Sequence, residues 1–292
     1  MKSGTVALIG RANAGKSTLV NVLVGEKVAI VSPKPQTTRD RIMGILNLPE
    51  GQIAFVDTPG LYRHFNVLTE TMMKTTEDTA KEVDVILYAI DAHETMSEED
   101  ISLALKYQSL GLPMLVVLTK IDIMPQKDIP VAVQKLSDAG LRVDVYPVSA
   151  RKGKNLKKLQ DGILELLPEG DRLYPEDIVS DRSEKFMISE LMREKILLKY
   201  EKEIPHGVAV VVHTFEKKGD LYEIGLDIVC EKKSHKAILI GKGCAALKEA
   251  STLARQSMEK FLGAKVYLTT YVKVVENWRD RQALIKSFGY DT

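Results

Sequence analysis

The first 167 residues predict an α/β fold, with a mostly parallel sheet and helices on both faces. An α+β module is predicted to follow from residue 183. Three observations carry this reading. Apolar runs rich in Val, Ile and Leu alternate with helix-period segments through the first part. A glycine-rich loop lies between the first such run and the first helical segment. A polar stretch containing Pro168 and Pro175 then breaks the pattern, and the elements after it come in a different order.

The runs at 5–9, 53–56, 83–90, 114–118 and 143–148 suit strands buried on both faces. Residues 41–48 alternate more and suit an edge strand. Helical patterns lie near 67–80, 97–108, 128–138 and 155–167. Residues 168–182 read as a linker between a domain at 1–167 and a second at 183–292. In the second, 183–202 is an amphipathic helix with Ile188, Leu191, Met192, Ile196 and Leu197 on one face. Strands at 207–215 and 222–229 form a hairpin across Lys217-Lys218-Gly219-Asp220. A helix over about 244–261, a strand at 265–275 and a last helix after Trp278 complete the chain.

A net charge of +1 over 292 residues hides an asymmetry. Residues 1–179 carry a net of −3 and residues 180–292 a net of +4. Residues 231–286 hold twelve Lys and Arg against five Asp and Glu, which points to a polyanion partner. The cysteines, Cys230 and Cys244, have neither metal-ligand spacing nor the numbers for a disulfide framework, so a reducing compartment is expected. His64, His93, His206, His213 and His235 show no ligand spacing and suit surface or capping roles. Trp278 reads as packing for the last helix and Cys230 as a strand-core thiol. No signal peptide begins the sequence, and no apolar run reaches the roughly 18 residues a membrane helix needs. A cytoplasmic location is expected, with peripheral attachment to the inner face of the cell membrane left open.

Gly10-Arg11-Ala12-Asn13-Ala14-Gly15-Lys16-Ser17-Thr18 fits a phosphate-binding loop between a strand and a helix. Its backbone N–H groups and the helix N-terminus converge on phosphate oxygens. Lys16 reaches the β- and γ-phosphates, and Ser17 offers a hydroxyl to Mg²⁺. Asp57-Thr58-Pro59-Gly60 follows a strand, so Asp57 is placed to hold a Mg²⁺-bound water and Gly60 to offer its N–H to the γ-phosphate. Thr119-Lys120-Ile121-Asp122 follows another strand. A carboxylate there accepts from guanine N1 and N2, a donor pair that adenine lacks. The stem of Lys120 covers the base face. Ser149-Ala150-Arg151 follows the last strand and closes the base pocket. A Thr in 26–40 can bind Mg²⁺ when the γ-phosphate is present, which makes that segment a switch.

These motifs, in this order, resemble the translation-factor class of GTPases, and within it the Era branch. The run Thr37-Thr38-Arg39-Asp40, the Leu61 after Gly60 and Asn13 carry the closer likeness. The resemblance implies Mg²⁺ ligands at Ser17 and Thr38, with Asp57 through water, and Asn13 as a K⁺ ligand. Lys16, Thr38 and Gly60 are the catalytic candidates. Leu61 stands where many GTPases place a water-orienting Gln, so slow intrinsic hydrolysis is expected. Thr119 replaces the usual Asn of its motif and has no amide to bridge loop and base, so reduced nucleotide affinity is expected.

Ile240-Gly241-Lys242-Gly243-Cys244 before a helix resembles the G-x-x-G loop of KH domains, which clamps single-stranded RNA. Lys248 and Arg255, seven apart on one helix face, join Lys242 as candidate phosphate contacts. Cys244 takes the place of the loop's second glycine, where a side chain is expected to crowd the phosphate or alter the turn. The family resemblance implies a small-subunit ribosomal RNA target near its 3′ end, the 30S subunit as partner and a role in ribosome assembly. A metabolic kinase or ATPase, and a GTPase whose second domain binds protein or a membrane surface, stand as alternatives.

Overall fold

The computed structural model describes residues 1–61, 66–93 and 96–290. The chain divides into two compact units. One comprises residues 1–29, 38–63 and 72–181; the other comprises 30–37, 64–71 and 182–292.

The first unit holds a six-stranded sheet. Its elements are β1 (Lys2–Gly10), α1 (Lys16–Val24), β2 (Ile42–Asn47), β3 (Gly51–Asp57), α2 (Val67–Glu82, which straddles the division), β4 (Val85–Asp91), α3 (Glu98–Gln108), β5 (Met114–Thr119), α4 (Asp128–Asp138), β6 (Val145–Pro147) and α5 (Leu156–Leu166). The strand order is β2-β3-β1-β4-β5-β6. Only β2 runs antiparallel to its neighbour, as the hairpin at 48–51 requires; the other pairings are parallel. The uninterrupted apolar runs have a simple cause. Successive residues of a strand face opposite sides, and both sides are covered. Ile9, Val56, Ile86, Tyr88, Val116 and Leu118 build the core on one face. Leu8, Phe55, Leu87, Val117, Leu159 and Ile163 build it on the other.

The segment read as a linker is held tightly along this unit. Leu173 N and Tyr174 N both donate to the side-chain oxygen of buried Gln52, at 2.8 and 2.9 Å. Gln52 returns a hydrogen bond to Tyr174 O at 2.8 Å. Ile45 N donates to Val179 O at 2.8 Å, and Met43 N to Asp181 Oδ1 at 3.0 Å. The strap thus satisfies the outer edge of β2, which would otherwise present unpaired backbone groups.

The second unit contains α6 (Glu184–Lys199), β7 (Ala209–Lys218), β8 (Leu221–Cys230), α7 (Lys233–Ile240), α8 (Ala245–Leu262), β9 (Lys265–Val274) and α9 (Gln282–Ser287). Its sheet has the order β7-β8-β9, antiparallel then parallel. Ile188, Leu191, Leu226, Ile228, Ala254 and Met258 are among its buried core. Helix α7 is an addition to the sequence reading. Eight residues opening on Lys232 without a side-chain cap give little helical signal. Ile240, expected in the loop, ends this helix. His235, expected in a surface or capping role, is buried on α7 and lies 3.8 Å from Glu203. His64 lies outside the described residues. Trp278 is fully buried, donates to Gly207 O at 3.0 Å and packs on Phe288 and Tyr290. Cys230 is a buried thiol at the end of β8.

Helix α6 also carries a buried ion pair. Arg193 is fully buried and grips Glu190 through Nε (2.6 Å) and Nη2 (2.5 Å). Its remaining donors go to the carbonyls of Gln36 (3.3 Å) and Thr37. Glu194 accepts from Val31 N at 3.1 Å, and Lys34 donates to Tyr200 O. Residues 30–37 therefore belong to this unit through charged groups of α6 and the residues that end it.

Candidate nucleotide site and loop of the second unit

The nucleotide motifs meet at the C-terminal ends of β1, β3, β5 and β6, the ligand-binding edge of such sheets. Two glycines permit the packing there. A Cβ on Gly10 would lie 2.3 Å from Ala89 O, and one on Gly60 would lie 2.7 Å from Ala12 Cα. With no side chain at 60, residues 60–61 run beside the phosphate loop. Leu61 N donates to Gly10 O (3.0 Å), and Ala12 N to Leu61 O (3.4 Å).

Lys16 is buried and its ammonium donates to Gly10 O (2.9 Å) and Arg11 O (3.1 Å). Burial lowers its pKa to about 8, against the opposing pull of the Asp57 carboxylate. Arg11 reaches the start of α3. It donates to Ser97 Oγ and Asp100 Oδ2, both at 3.3 Å. Ser97 and Asp100 form the capping box that starts α3, so Arg11 ties the phosphate loop to that helix. Asn13 holds a left-handed backbone (φ 64°) at the crest of the loop.

Ser17, Thr38 and Asp57 converge. Ser17 Oγ donates to Asp57 Oδ2 at 2.5 Å and lies 2.8 Å from Thr38 Oγ1, which is 3.1 Å from the same carboxylate oxygen. Asp57 is fully buried, and burial raises its pKa while Lys16, Ser17 and Thr38 oppose the shift. Its second oxygen, Oδ1, is buried with no hydrogen-bond partner. Two hydroxyls and a carboxylate with an orphaned oxygen are a hard, all-oxygen donor set. They fit Mg²⁺ with retained waters.

Thr119 corrects one expectation. Its hydroxyl lies 2.8 Å from Ala14 O and 3.2 Å from Ile90 O, so it reaches the phosphate loop without an amide. What it lacks is a second donor for the base. Thr119→Val, which keeps the shape and removes the donor, is expected to weaken GDP binding about three- to ten-fold, the worth of one hydrogen bond near 1 kcal/mol. Fluorescent-nucleotide titration checks this, and unchanged affinity would show that the tether is idle.

Lys120 pairs with Asp91 at 2.5 Å from a left-handed backbone (φ 58°). Asp122 is exposed, and Ser149 Oγ donates to its Oδ1 at 2.6 Å. That hydrogen bond lowers the Asp122 pKa and keeps the carboxylate ionised. Ile121 is buried, while Ala150 and Arg151 follow Ser149 in a turn. Thr58 Oγ1 donates to Leu8 O (2.6 Å), and Pro59 O accepts from Thr76 (3.2 Å), so both anchor the loop after β3. Leu61 is a core residue, packed with Ile9 and Val56 and buried away from solvent.

In the second unit, Gly241, Lys242, Gly243 and Cys244 link α7 to α8. Gly243 (φ 58°) and Cys244 (φ 60°) are both left-handed. The cysteine adopts the backbone that glycine adopts freely, so the turn survives the replacement. The αL position costs about 1 kcal/mol for a residue with a Cβ. Cys244→Gly is expected to stabilise the second unit by up to about 1 kcal/mol, offset in part by glycine's freedom when unfolded. Urea unfolding followed by Trp278 fluorescence reads it, and a destabilised variant would count against the account. Beside the loop, Cys244, Lys248, Ser251, Arg255, Leu268 and Thr270 line a groove of about 330 Å³.

A family model described as "50S ribosome-binding GTPase" matches residues 5–120, and one described as "KH domain" matches residues 203–279. GTPase Era of Clostridium kluyveri is 43% identical over 291 residues, covering 99% of each chain. The chain belongs to the GTPase Era family. GTPase Era of Alkaliphilus metalliredigens is 41% identical, also across 99% of each chain. A crystal structure of an Aquifex aeolicus Era variant bound to GDP and AlF4⁻ superposes over the full length of both chains, with a TM-score of 0.97 at 38% identity. An Era structure in complex with MgGDPNP and nucleotides 1506–1542 of 16S ribosomal RNA matches equally well. The fold is therefore a GTPase domain followed by a KH domain, and the activity of the family is GTP hydrolysis. Among the described residues, no helix is long and apolar enough to cross a membrane.

Proposed function

We infer that this chain is a GTP-hydrolysing switch that binds 16S ribosomal RNA near its 3′ end and acts in 30S subunit assembly in the cytoplasm. The observation that carries the reading is the full-length match to an Era structure holding MgGDPNP and nucleotides 1506–1542 of that RNA. On this reading Lys16 leaves the carbonyls of Gly10 and Arg11 and neutralises the β- and γ-phosphates. Ser17 and Thr38 hold Mg²⁺ directly and Asp57 holds it through water. The ion, when bound, offsets charge on the phosphates. Gly60 presents its N–H to the γ-phosphate, and Asp122, oriented by Ser149, reads guanine N1 and N2. Asn13 is a K⁺ ligand. Leu61 offers no group to orient water, so unassisted turnover is slow.

The RNA contact is assigned to the loop at Gly241–Cys244 with Lys242, Lys248 and Arg255. Its place within the basic stretch at 231–286 favours RNA over a protein or membrane partner. The test is binding of a 16S rRNA 3′-end fragment to the full chain, loaded with a GTP analogue or with GDP, across a salt series. Tight binding with a steep negative salt slope, stronger in the GTP-analogue form, is the expected result. A slope near zero, or no dependence on nucleotide, would overturn it.

A further inference from the structure

The helices α6 and α8 cover one face of the three-stranded sheet, and the other face is open. On the edge strand β9 that open face reads Lys265, Tyr267, Thr269, Tyr271, Lys273. Tyr267 is 60% exposed and Tyr271 is 58% exposed, an unusual state for two large rings on a strand. They stand four residues apart, or about 13 Å along the strand, with only Thr269 between them. His213 extends the surface. Its ring lies over Gly225, where a Cβ would come within 2.3 Å of His213 Cε1, and its centroid is 6.1 Å from that of Tyr271. Glycine at 225 is what lets the imidazole lie down against the sheet beside the tyrosine.

The opposite face of the same strand lines the groove beside the G-x-x-G-like loop. Leu268 and Thr270 are in that groove, and they alternate with Tyr267, Thr269 and Tyr271. Among the described residues, no strand pairs with the outer edge of β9. A single strand of RNA leaving the groove over that edge meets the tyrosines next. A loop of this kind commits about four nucleotides and leaves the flanking ones free. The charges on the open face are largely self-paired: Lys273 with Asp227 at 2.5 Å, and Lys218 with Glu223 at 2.6 Å. A near-neutral surface with exposed ring faces suits bases more than phosphates.

We propose that the open sheet face, through Tyr267 and Tyr271 with His213, is a second contact for RNA. It stacks bases of the single strand that continues from the groove on the far side of β9. This rests on the RNA-binding reading above.

The test uses the full chain loaded with Mg²⁺ and a GTP analogue. Twelve-nucleotide single-stranded fragments tiled through the 16S rRNA 3′ end are titrated first. Five-nucleotide fragments tiled through the tightest of them follow. The double variant Tyr267→Ala/Tyr271→Ala is expected to bind the 12-mer about ten-fold or more weaker and the 5-mer unchanged. Tyr267→Phe/Tyr271→Phe is expected to keep both affinities, since it keeps the rings. The salt slope is expected to stay the same in all three proteins, because no phosphate contact is lost. Wild-type affinity of the alanine variant for the 12-mer would overturn the proposal and leave the face to a protein partner. Equal weakening of the 5-mer would also overturn it, by making the tyrosines supports of the clamp. A wild-type chain that binds neither fragment would sink the groove reading itself.

Discussion

Lys16→Ala is expected to lower single-turnover GTP hydrolysis by at least about 10²–10³-fold and to weaken GDP binding sharply. The magnitude follows from removing a preorganised charge from a water-poor site, where such groups contribute most. Lys16 is buried, and burial has already brought its pKa down to about 8. Its ammonium is therefore poorly solvated, and among the described residues its hydrogen bonds go to the carbonyls of Gly10 and Arg11. A phosphate would be a far stronger partner than either carbonyl. The fold should survive the change. The Ser17, Thr38 and Asp57 cluster, the Arg11 tie to α3 and the Thr119 tether do not pass through Lys16. Circular dichroism should thus show a native chain that has lost its nucleotide. Hydrolysis within ten-fold of the wild type would contradict the role assigned to this residue.

Arg193→Ala is expected to destabilise the second unit by about 3–5 kcal/mol, the range for breaking a buried ion pair from one side. The loss is not only that of the pair. Glu190, 5% exposed, keeps its charge in a dry environment, and the carbonyls of Gln36 and Thr37 lose their donors. The charge-free double variant Glu190→Leu/Arg193→Met should recover much of the loss, because neither desolvation cost remains. Trp278 is the sole tryptophan and is buried in this unit, so its fluorescence reports the unfolding. A cost below about 1 kcal/mol for Arg193→Ala would mean that water reaches Glu190.

The two predictions differ in how much of them could be read in advance. Lys16 stands in a local motif. Its loop is dictated by two glycines, a strand before and a helix after, all within residues 2–24. Arg193 gave no such signal. It lies on a charged amphipathic helix where a solvent-facing role is the ordinary reading, and its partners at 36–37 are about 156 residues away. The strap at 168–181 was hidden for the same reason. A polar, proline-containing stretch reads as a linker unless one knows that an unpaired strand edge lies beside it. Helix α7 was missed through brevity and the absence of a cap.

Thr119 and Cys244 show what a departure from a family pattern conveys. Each is visible as a substitution, yet its consequence depends on atoms that sequence does not place. Thr119 Oγ1 lies 2.8 Å from Ala14 O, so a hydroxyl makes the contact to the phosphate loop where an amide is usual, and the contact to the base is left without a donor. Cys244 sits at φ 60°, so the loop keeps its turn and carries a thiol on it. Leu61 is a related case. Its chemistry, no base for water, followed from its identity, whereas its location in the core on one face of the sheet did not.

The sequence by itself determined the alternation of strands and helices in the first unit, the phosphate-loop motif, the placing of the Asp122 carboxylate just after a strand and the division between an acidic and a basic part. Each depends on residue type at close spacing, where backbone geometry and hydrophobic period act locally. Tertiary structure alone decided that Asp57 keeps one oxygen free beside Ser17 and Thr38, that Arg193 anchors residues 36–37, and that Tyr267 and Tyr271 face solvent. Those outcomes depend on which groups distant in the chain share a volume, and on whether that volume admits water.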